Sequence, residues 1–261
     1  MYIQKTVFVS TEVQLCGHTI HIDSNSKSTA SNGDFFNPKP NAFSLPPVST
    51  CPGSTEKCRK SCYVMGLAKF SPETFATYTT NERVLHLLLE QGPETGAREL
   101  GEWIAEHCKG GFRWHVSGDI FSRDHAQWIA NVCNNSPEVR HWIYTRSFFA
   151  VPLLIAQAKN LTVNISADAD NLNLAARVAA VYPVRLTYFS HDGSLPDLPD
   201  DSIIFPDYPI RGRDLAEPTS HPWWQSLSKK ERKMVCPTDF FGQSEDHRCG
   251  PCDKCLKPLK P

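Results

Sequence analysis

The sequence predicts an α/β protein whose mostly parallel sheet forms a partial (β/α)6-type barrel, followed by a C-terminal cysteine-rich extension that binds metal. Apolar runs of strand length alternate with amphipathic segments of helix length between residues 112 and 205. The links between them are short, and neighbouring parallel strands need such helical crossovers. This run of strands is too short for a closed eight-stranded barrel, so we expect a partial or open one.

The first part of the chain is expected to be irregular over residues 1–40, because it is polar and rich in turn-forming residues. Residues 41–45 then alternate apolar and polar side chains, a pattern that predicts a short strand. Pro46 and Pro47 end that strand, and three cysteines follow directly.

Two helices are predicted after these cysteines. Ser71 is a helix cap with Pro72 in the first turn, and apolar residues at helical spacing continue to Leu89. A second helix covers about residues 95–108 and ends at Gly110 and Gly111.

The core is then predicted to alternate regularly between strands and helices up to residue 205. The predicted strands are residues 112–116, 141–144, 161–165, 184–189 and 202–205. The predicted helices between them are residues 124–133, 151–159 and 171–182. Residues 41–205 are therefore expected to form the core, and residues 206–261 a helical, cysteine-rich extension.

Composition gives little sign of a nucleic-acid or membrane protein. The 261 residues carry a formal net charge of −1, and the one short basic run, residues 229–233, is typical of a solvated helix face. The N-terminus has no signal-peptide pattern and no segment approaches a membrane span. We therefore expect a cytoplasmic protein with no membrane partner. A chain of this length does not need a disulfide framework.

Polar side chains follow four consecutive predicted strands. They are Ser117 to Asp119, Thr145 to Ser147, Ser166 to Asp170 and Ser190 to Gly193. Because chemistry collects at the carboxyl ends of parallel strands, this pattern indicates one polar pocket, although capping of the next helices is an alternative for each of them. We select Asp119, Asp168 and His191 as catalytic candidates, His191 for proton transfer.

Three cysteines lie close together near the N-terminus. Cys51, Cys58 and Cys62 are separated by six and three residues, in a loop that begins with Pro52 and Gly53. Three thiolates around one centre would leave a position open for chemistry. The alternative is a set of reduced thiols buried under a long loop.

Four more cysteines are grouped at the C-terminus: Cys236, Cys249, Cys252 and Cys255. Four thiolates form a closed centre, and the two-residue spacing of the last three favours an iron–sulfur cluster over structural zinc. Zinc stays an alternative, in which His247 could replace one ligand. Among the remaining cysteines, Cys108 and Cys133 are expected to be small buried hydrophobes.

The order of these features resembles the radical S-adenosylmethionine fold. The resemblance spans residues 41–205 and rests on the cysteine triplet with Tyr63 beside it, and on the strand ends Ser-Gly-Asp, Thr-Arg-Ser and Ser-Ala-Asp. It implies that Cys51, Cys58 and Cys62 hold a 4Fe-4S cluster, and that S-adenosylmethionine binds it. The implied cofactor-binding residues are Tyr63, Gly118, Asp119, Thr145, Ser166 and Asp168. Both cysteine intervals are longer than in that family, and Ser61 stands where it has an aromatic residue.

A second resemblance is to a phage-encoded family named gene product 88-like. It rests on the segments TCPGSTEKCRKSCY, RWHVSGDIFS, IYTRS and CGPCDKC, which lie along most of the chain. It implies a viral or prophage origin more firmly than it implies any reaction. If a phage encodes the protein, we expect it in the host cytoplasm.

Three functions fit these patterns. The first is an iron–sulfur enzyme of the radical type, with an open cluster on the N-terminal cysteines and an auxiliary cluster on the C-terminal ones. The second is a phage transglycosylase that exchanges bases in nucleic acid or a nucleotide, with structural zinc and Asp119 or Asp168 as nucleophile. The third is a non-enzymatic binding protein whose fold is stabilised by bound metal.

Overall fold

The computed structural model describes residues 10–24, 39–66, 71–207, 210–213, 215–242, 247 and 249–259. Within these residues eight strands form one sheet, in which the spatial order of the strands equals their order in the chain. The first strand pairs with the second, and the second with the third, in antiparallel fashion. All later pairings are parallel. The predicted α/β class with a mostly parallel sheet is therefore confirmed.

The strands are β1 Ser10–Leu15, β2 His18–Asp23, β3 Ala42–Phe43, β4 Phe112–Trp114, β5 His141–Thr145, β6 Leu161–Ala167, β7 Arg185–Ser190 and β8 Ile203–Pro206. The helices are α1 Glu56–Lys60, α2 Pro72–Gln91, α3 Ala97–His107, α4 Arg123–Asn134, α5 Val151–Gln157, α6 Leu172–Val181, α7 Pro222–Ser226, α8 Lys229–Met234, α9 Pro237–Phe240 and α10 Cys249–Cys252. From β3 onward, every predicted strand and helix of the core has an observed counterpart.

The β1–β2 hairpin was not predicted. Its strands alternate buried apolar with more exposed polar residues, and they are joined by Cys16 and Gly17, both at positive φ. A two-residue turn of this conformation matches the twist of a hairpin. The alternation could have revealed it, but the polar composition of residues 1–40 concealed it. Residues 1–9 and 25–38 of that segment lie outside the described residues.

The two faces of the parallel sheet differ in chemistry. Trp114 of β4 contacts Trp128 of α4 edge-on, with ring centroids 5.8 Å apart, and Ile143, Val163 and Leu186 join the same hydrophobic core. The opposite face carries Arg113, Tyr144, Thr162, Asn164 and Arg185, which the strand register places side by side. We call this second surface the polar face.

The buried core lies between the sheet and its helices, and it contains Cys108 and Cys133. The prediction that these two thiols act as small hydrophobes is confirmed. No helix within the described ranges has the length and apolar character needed to cross a bilayer.

Candidate functional site

Four polar residues stand directly after four parallel strands. Arg146 follows β5, Asp168 follows β6, His191 follows β7 and Asp207 follows β8. Arg146 Nη1 lies 2.9 Å from Asp168 Oδ2, and His191 contacts Asp168 at 4.0 Å and Asp207 at 3.2 Å. The structure thus brings these strand ends together at one edge of the sheet.

The N-terminal cysteine loop lies over this edge and is fastened to it at several points. Thr55 Oγ1 donates to Asp168 Oδ2 at 2.5 Å and also caps α1 by accepting from the Cys58 N–H. Ser61 Oγ lies 3.0 Å from His191 Nδ1. Gly53 passes so close to the Arg146 carbonyl that a Cβ atom there would clash with it. These contacts place the loop over β5, β6 and β7.

The three thiols of the loop share one electrostatic environment. Cys51, Cys58 and Cys62 are free of disulfides and half-buried. Burial, followed by the nearby Asp119 carboxylate and the other two thiols, raises the pKa of Cys51 to about 12. Burial also raises the pKa of Cys58, against the opposing charge of Arg146. Metal binding has to displace these protons.

The donor set fits iron–sulfur chemistry, since thiolates are the ligands of such clusters. A single tetrahedral metal ion would need sulfurs roughly 4 Å apart. Within the described part of the chain, no three Cys, His, Asp or Glu side chains are grouped so that they could hold one metal ion. The fit to a cluster therefore rests on the chemistry of the three thiols and not on the distances between them.

Asp119 is held by the framework of the protein. Its Oδ1 accepts from Thr145 Oγ1 at 2.6 Å and from the Ile120 N–H, and its Oδ2 accepts from the Arg146 N–H at 2.8 Å. Burial nevertheless raises its pKa. Gly118, at φ +81°, makes the turn before it, where a Cβ would lie 2.6 Å from the Leu45 Cβ. Gly118, Asp119 and Thr145 therefore fix the ends of β4 and β5 relative to each other.

Asp168 and His191 are also engaged with their neighbours. Burial raises the pKa of Asp168, but the Thr55 hydrogen bond and the Arg146 charge outweigh burial and lower it. His191 Nδ1 contacts Asp207 and Ser61. Its Nε2 is buried, lies 4.0 Å from Asp168 Oδ2 and makes no hydrogen bond among the described residues.

Two further predicted residues lie beside this site. Tyr63 donates a 2.6 Å hydrogen bond to the Val116 carbonyl and is otherwise largely exposed. Ser166 is near the end of β6, where its carbonyl accepts from Asn171.

Cys249, Cys252 and Cys255 lie at the opposite edge of the sheet, near the amino ends of the strands. The Cys255 carbonyl accepts from Asn164 at 3.1 Å, and the Leu256 carbonyl accepts from Thr162 at 3.0 Å. Cys236 stands at the start of α9, where its N–H donates to the Ile204 carbonyl of β8 at 2.8 Å. The last three cysteines thus belong to a segment that packs on the polar face. The ring of His247 stacks on Phe241, with centroids 4.8 Å apart.

Sequence reasoning missed the residues of the polar face that receive this segment. Arg113, Tyr144, Asn164 and Arg185 each occur in a buried strand. Their alternation with apolar neighbours was the available signal, because alternate residues of a strand point to one face. Arg146 was part of a predicted strand end, but its ion pair with Asp168 was not foreseen.

A surface cavity of about 540 Å³ lies away from both cysteine groups. Trp103, His107, Glu106 and Lys109 are among its lining residues. None of the catalytic candidates and no cysteine lines this cavity, so it does not extend the site.

Comparisons with known proteins give a family. The sequence profile of the family described as Gene product 88 matches residues 17–258. The Gene 88 proteins of Mycobacterium phage L5 and Mycobacterium phage D29 are each 31% identical to this chain over 135 residues. These residues are 48% of this chain and 55% of each relative, so the match spans about half the length of the relatives. No solved structure is significantly similar to the chain.

The match to the Gene product 88 profile covers most of the chain and includes both cysteine groups. The similar curated proteins are phage proteins, which confirms the phage association predicted from sequence. The resemblance to radical S-adenosylmethionine enzymes stays a prediction. The chain belongs to the Gene product 88 family.

Proposed function

We propose that this protein is an iron–sulfur enzyme of the radical S-adenosylmethionine type. Cys51, Cys58 and Cys62 would hold a 4Fe-4S cluster with one open iron. If bound there, the cluster, reduced by an external one-electron donor, and S-adenosylmethionine would supply cleavage of the sulfonium into methionine and a carbon radical that abstracts hydrogen from substrate. The observation that carries the proposal is the position of three free thiols over the carboxyl ends of consecutive parallel strands.

The order of the sheet supports the partial barrel that this function needs. Strands β3 to β8 follow one another in space as in sequence, and α4, α5 and α6 connect successive strands. Right-handed crossovers without a reversal of strand order put the helices on one face, which favours curling of the sheet into a barrel. The active site of such a barrel lies at the carboxyl ends of its strands, where the thiol loop is fastened.

The side chains around the loop have separate tasks in this proposal. Asp168 fastens the loop through Thr55 and Arg146, so it controls the position of the thiols. Asp119 holds the ends of β4 and β5 together. His191 Nε2 can give or take a proton at the edge of the site. Tyr63, Gly118, Thr145 and Ser166 would surround the bound cofactor.

The C-terminal cysteines would form an auxiliary centre in the cysteine-rich extension. Cys236, Cys249, Cys252 and Cys255 would be its ligands, and the other end of the sheet would be its support. Four protein thiolates close a centre to substrate, so its task would be structural or electron-carrying.

The transglycosylase hypothesis is less well supported by the geometry. A carboxylate nucleophile has to be free to attack a sugar carbon. Asp119 accepts three hydrogen bonds from the framework, and Asp168 is bound by Thr55, Arg146 and the Asp170 N–H. Both carboxylates therefore act as structural anchors in this arrangement.

The test is the electron paramagnetic resonance spectrum of the anaerobically purified, reduced protein with and without S-adenosylmethionine. We expect a cluster signal that S-adenosylmethionine changes, because the cofactor binds the open iron. The Cys51→Ala, Cys58→Ala, Cys62→Ala triple variant should lose this response. Cys16→Ala is the matched control, since Cys16 is exposed in the hairpin turn outside both groups. A wild-type spectrum that S-adenosylmethionine leaves unchanged would contradict the proposal.

A further inference from the structure

The surface cavity of about 540 Å³ lies at the amino ends of β3 and β4, whereas the N-terminal thiol loop lies at the carboxyl ends of the strands. Helix α3, the residues that follow it, the segment before β3 and the edge strand β1 form its walls. Its volume is typical of pockets that hold one small ligand. The side chains in its walls indicate which class of ligand it can take.

One wall of the cavity carries a pair of stacked rings. Trp103 and His107 are four residues apart in α3, so they lie on one face of that helix. Their rings are 10° from parallel, and the ring centroids are 4.6 Å apart. His107 Nδ1 donates to the Trp103 carbonyl at 2.8 Å, which fixes the imidazole relative to the indole. Rings held in this way offer a flat surface for stacking to a planar heteroaromatic ligand.

Two lysines and one glutamate also line the cavity. Lys39 precedes β3, Lys109 follows α3, and Glu106 lies in the last turn of α3. Among the described residues, the side chains of these three make no hydrogen bond or ion pair, although Glu106 and Lys109 are only three residues apart. Four exposed lysines elsewhere do pair with carboxylates. Two uncommitted cations against one carboxylate favour an anionic ligand.

These groups match the three parts of a nucleotide. The stacked rings suit a base, because every nucleobase has a π-face. The two lysine ammonium groups suit a phosphate, which lysine binds as a point charge. Glu106 can accept hydrogen bonds from sugar hydroxyls, as acidic residues do in dinucleotide sites. An inorganic phosphate would leave the rings unused, and an aromatic carboxylate would leave Glu106 unused.

We propose that this cavity binds a nucleoside phosphate. The base would stack on the rings of Trp103 and His107, the phosphate would meet Lys39 and Lys109, and the sugar hydroxyls would meet Glu106. The site is separate from the proposed S-adenosylmethionine site and does not rest on the proposed function. A free nucleotide and the phosphorylated end of a nucleic-acid strand both supply this chemistry.

The test is equilibrium dialysis of the full chain against each nucleoside monophosphate of RNA, against the nucleosides and against inorganic phosphate. We expect at least one monophosphate to bind more tightly than its own nucleoside and than inorganic phosphate, because both parts of the ligand are held. Trp103→Leu should weaken this binding about tenfold, the effect typical of a lost stacking contact. Trp103→Phe keeps a stacking ring and should retain most of the affinity.

The contribution of charge is tested with a matched pair of lysines. Lys109→Gln should weaken binding of the monophosphate about fivefold, as for the loss of a good surface ion pair. Lys159→Gln is the control and should leave binding unchanged. Lys159 is exposed and stands two residues after the end of α5, as Lys109 does after α3, but it is not among the residues that line the cavity. Circular dichroism checks the fold of every variant.

Monophosphate binding that depends on Trp103 and Lys109 but not on Lys159 supports the inference. Displacement by a short oligonucleotide with a terminal phosphate would then identify a strand end as the source, and retention would identify a free nucleotide. No binding at millimolar concentration overturns the inference, and so does equal affinity for inorganic phosphate or equal binding by Lys109→Gln and Lys159→Gln.

A further arm separates this inference from the proposed function. S-adenosylmethionine should not displace the monophosphate, and the Cys51→Ala, Cys58→Ala, Cys62→Ala variant should bind it as the wild type does. Displacement by S-adenosylmethionine, or loss of binding in the triple variant, would place the monophosphate at the thiol loop and overturn the inference. A cluster signal that S-adenosylmethionine leaves unchanged contradicts the proposed function alone.

Discussion

The two cysteine groups lie at opposite ends of the same parallel sheet and in opposite electrostatic surroundings. Asp119 and Asp168 lie beside the N-terminal thiols, with Arg146 as the cation that partly offsets them. The C-terminal thiols lie among Arg113, Arg185 and Lys254. Burial raises the pKa of Cys255 as it raises the pKa of Cys51 and Cys58, and Arg185 and Arg113 oppose the rise at Cys255. The two groups therefore differ in the charges around them and not in the direction of these shifts.

The way each group is fastened differs as well. Side-chain hydrogen bonds from Thr55 and Ser61 hold the N-terminal loop to Asp168 and His191 at the surface edge of the sheet. Buried polar residues of the strands hold the backbone of the C-terminal segment. We therefore expect the N-terminal group to be adaptable, meaning that it can be lost without loss of the fold, and the C-terminal group to be permanent.

Removal of one thiol from each group tests this difference most strongly. Cys255→Ser should lower the free energy of unfolding by about 4 kcal/mol, because a buried metal centre contributes directly to folding. Cys58→Ser should remove iron but change stability by only about 1 kcal/mol. Urea unfolding under anaerobic conditions measures both. Equal losses for the two variants would remove the distinction between a permanent and an adaptable site.

The pH dependence of stability sharpens the assignment of charge on the polar face. Burial raises the pKa of Asp23 to about 7, against the hydrogen bonds of Ser44 and Tyr78. In the unfolded chain the Asp23 carboxyl loses its proton near the ordinary pKa of about 4. The free energy of unfolding therefore falls as pH rises from about 4 through about 7, by up to about 4 kcal/mol.

Asp23→Asn mimics the protonated form and should flatten this dependence in urea unfolding at pH 5 and pH 8. It should also leave C-terminal iron intact, since the hydrogen bonds of Asp23 go to Ser44 and Tyr78. An unchanged pH slope would show that another group is responsible. Loss of that iron would show that Asp23 supports the C-terminal group.

The ion pair under the N-terminal loop allows a third test. Asp168 is fully buried and Arg146 nearly so. Asp168→Asn should cost about 3 kcal/mol, because the guanidinium is left unpaired, and should also reduce iron at the N-terminal group. Asp200→Asn is the control, since its 2.7 Å pair with Lys230 is exposed and lies outside the thiol loop, so its loss should change stability little. If both variants behave alike, Asp168 does not anchor the loop.

Local patterns sufficed for much of this fold. The strands from β4 onward were predictable because apolar runs and helix caps such as Ser122 mark their limits. The meeting of Asp168 and His191 followed from the rule that parallel strand ends share an edge. Both conclusions rest on signals within about ten residues of chain.

Long-range pairings were not predictable in the same way. The partner of Arg146 is 22 residues away, and Asn164 binds a carbonyl 91 residues along the chain. Arg113 and Arg185 look like ordinary surface charges in the sequence, and only the strand register places them on the same face of the sheet. The position of the second cysteine group at the amino ends of the strands had no local signal.

Metal analysis of the anaerobically purified full chain tests the central claim most directly. The account predicts a brown protein with about eight irons and about eight sulfides per chain, corresponding to one 4Fe-4S cluster on each cysteine group. A colourless protein that contains zinc and no iron would contradict it.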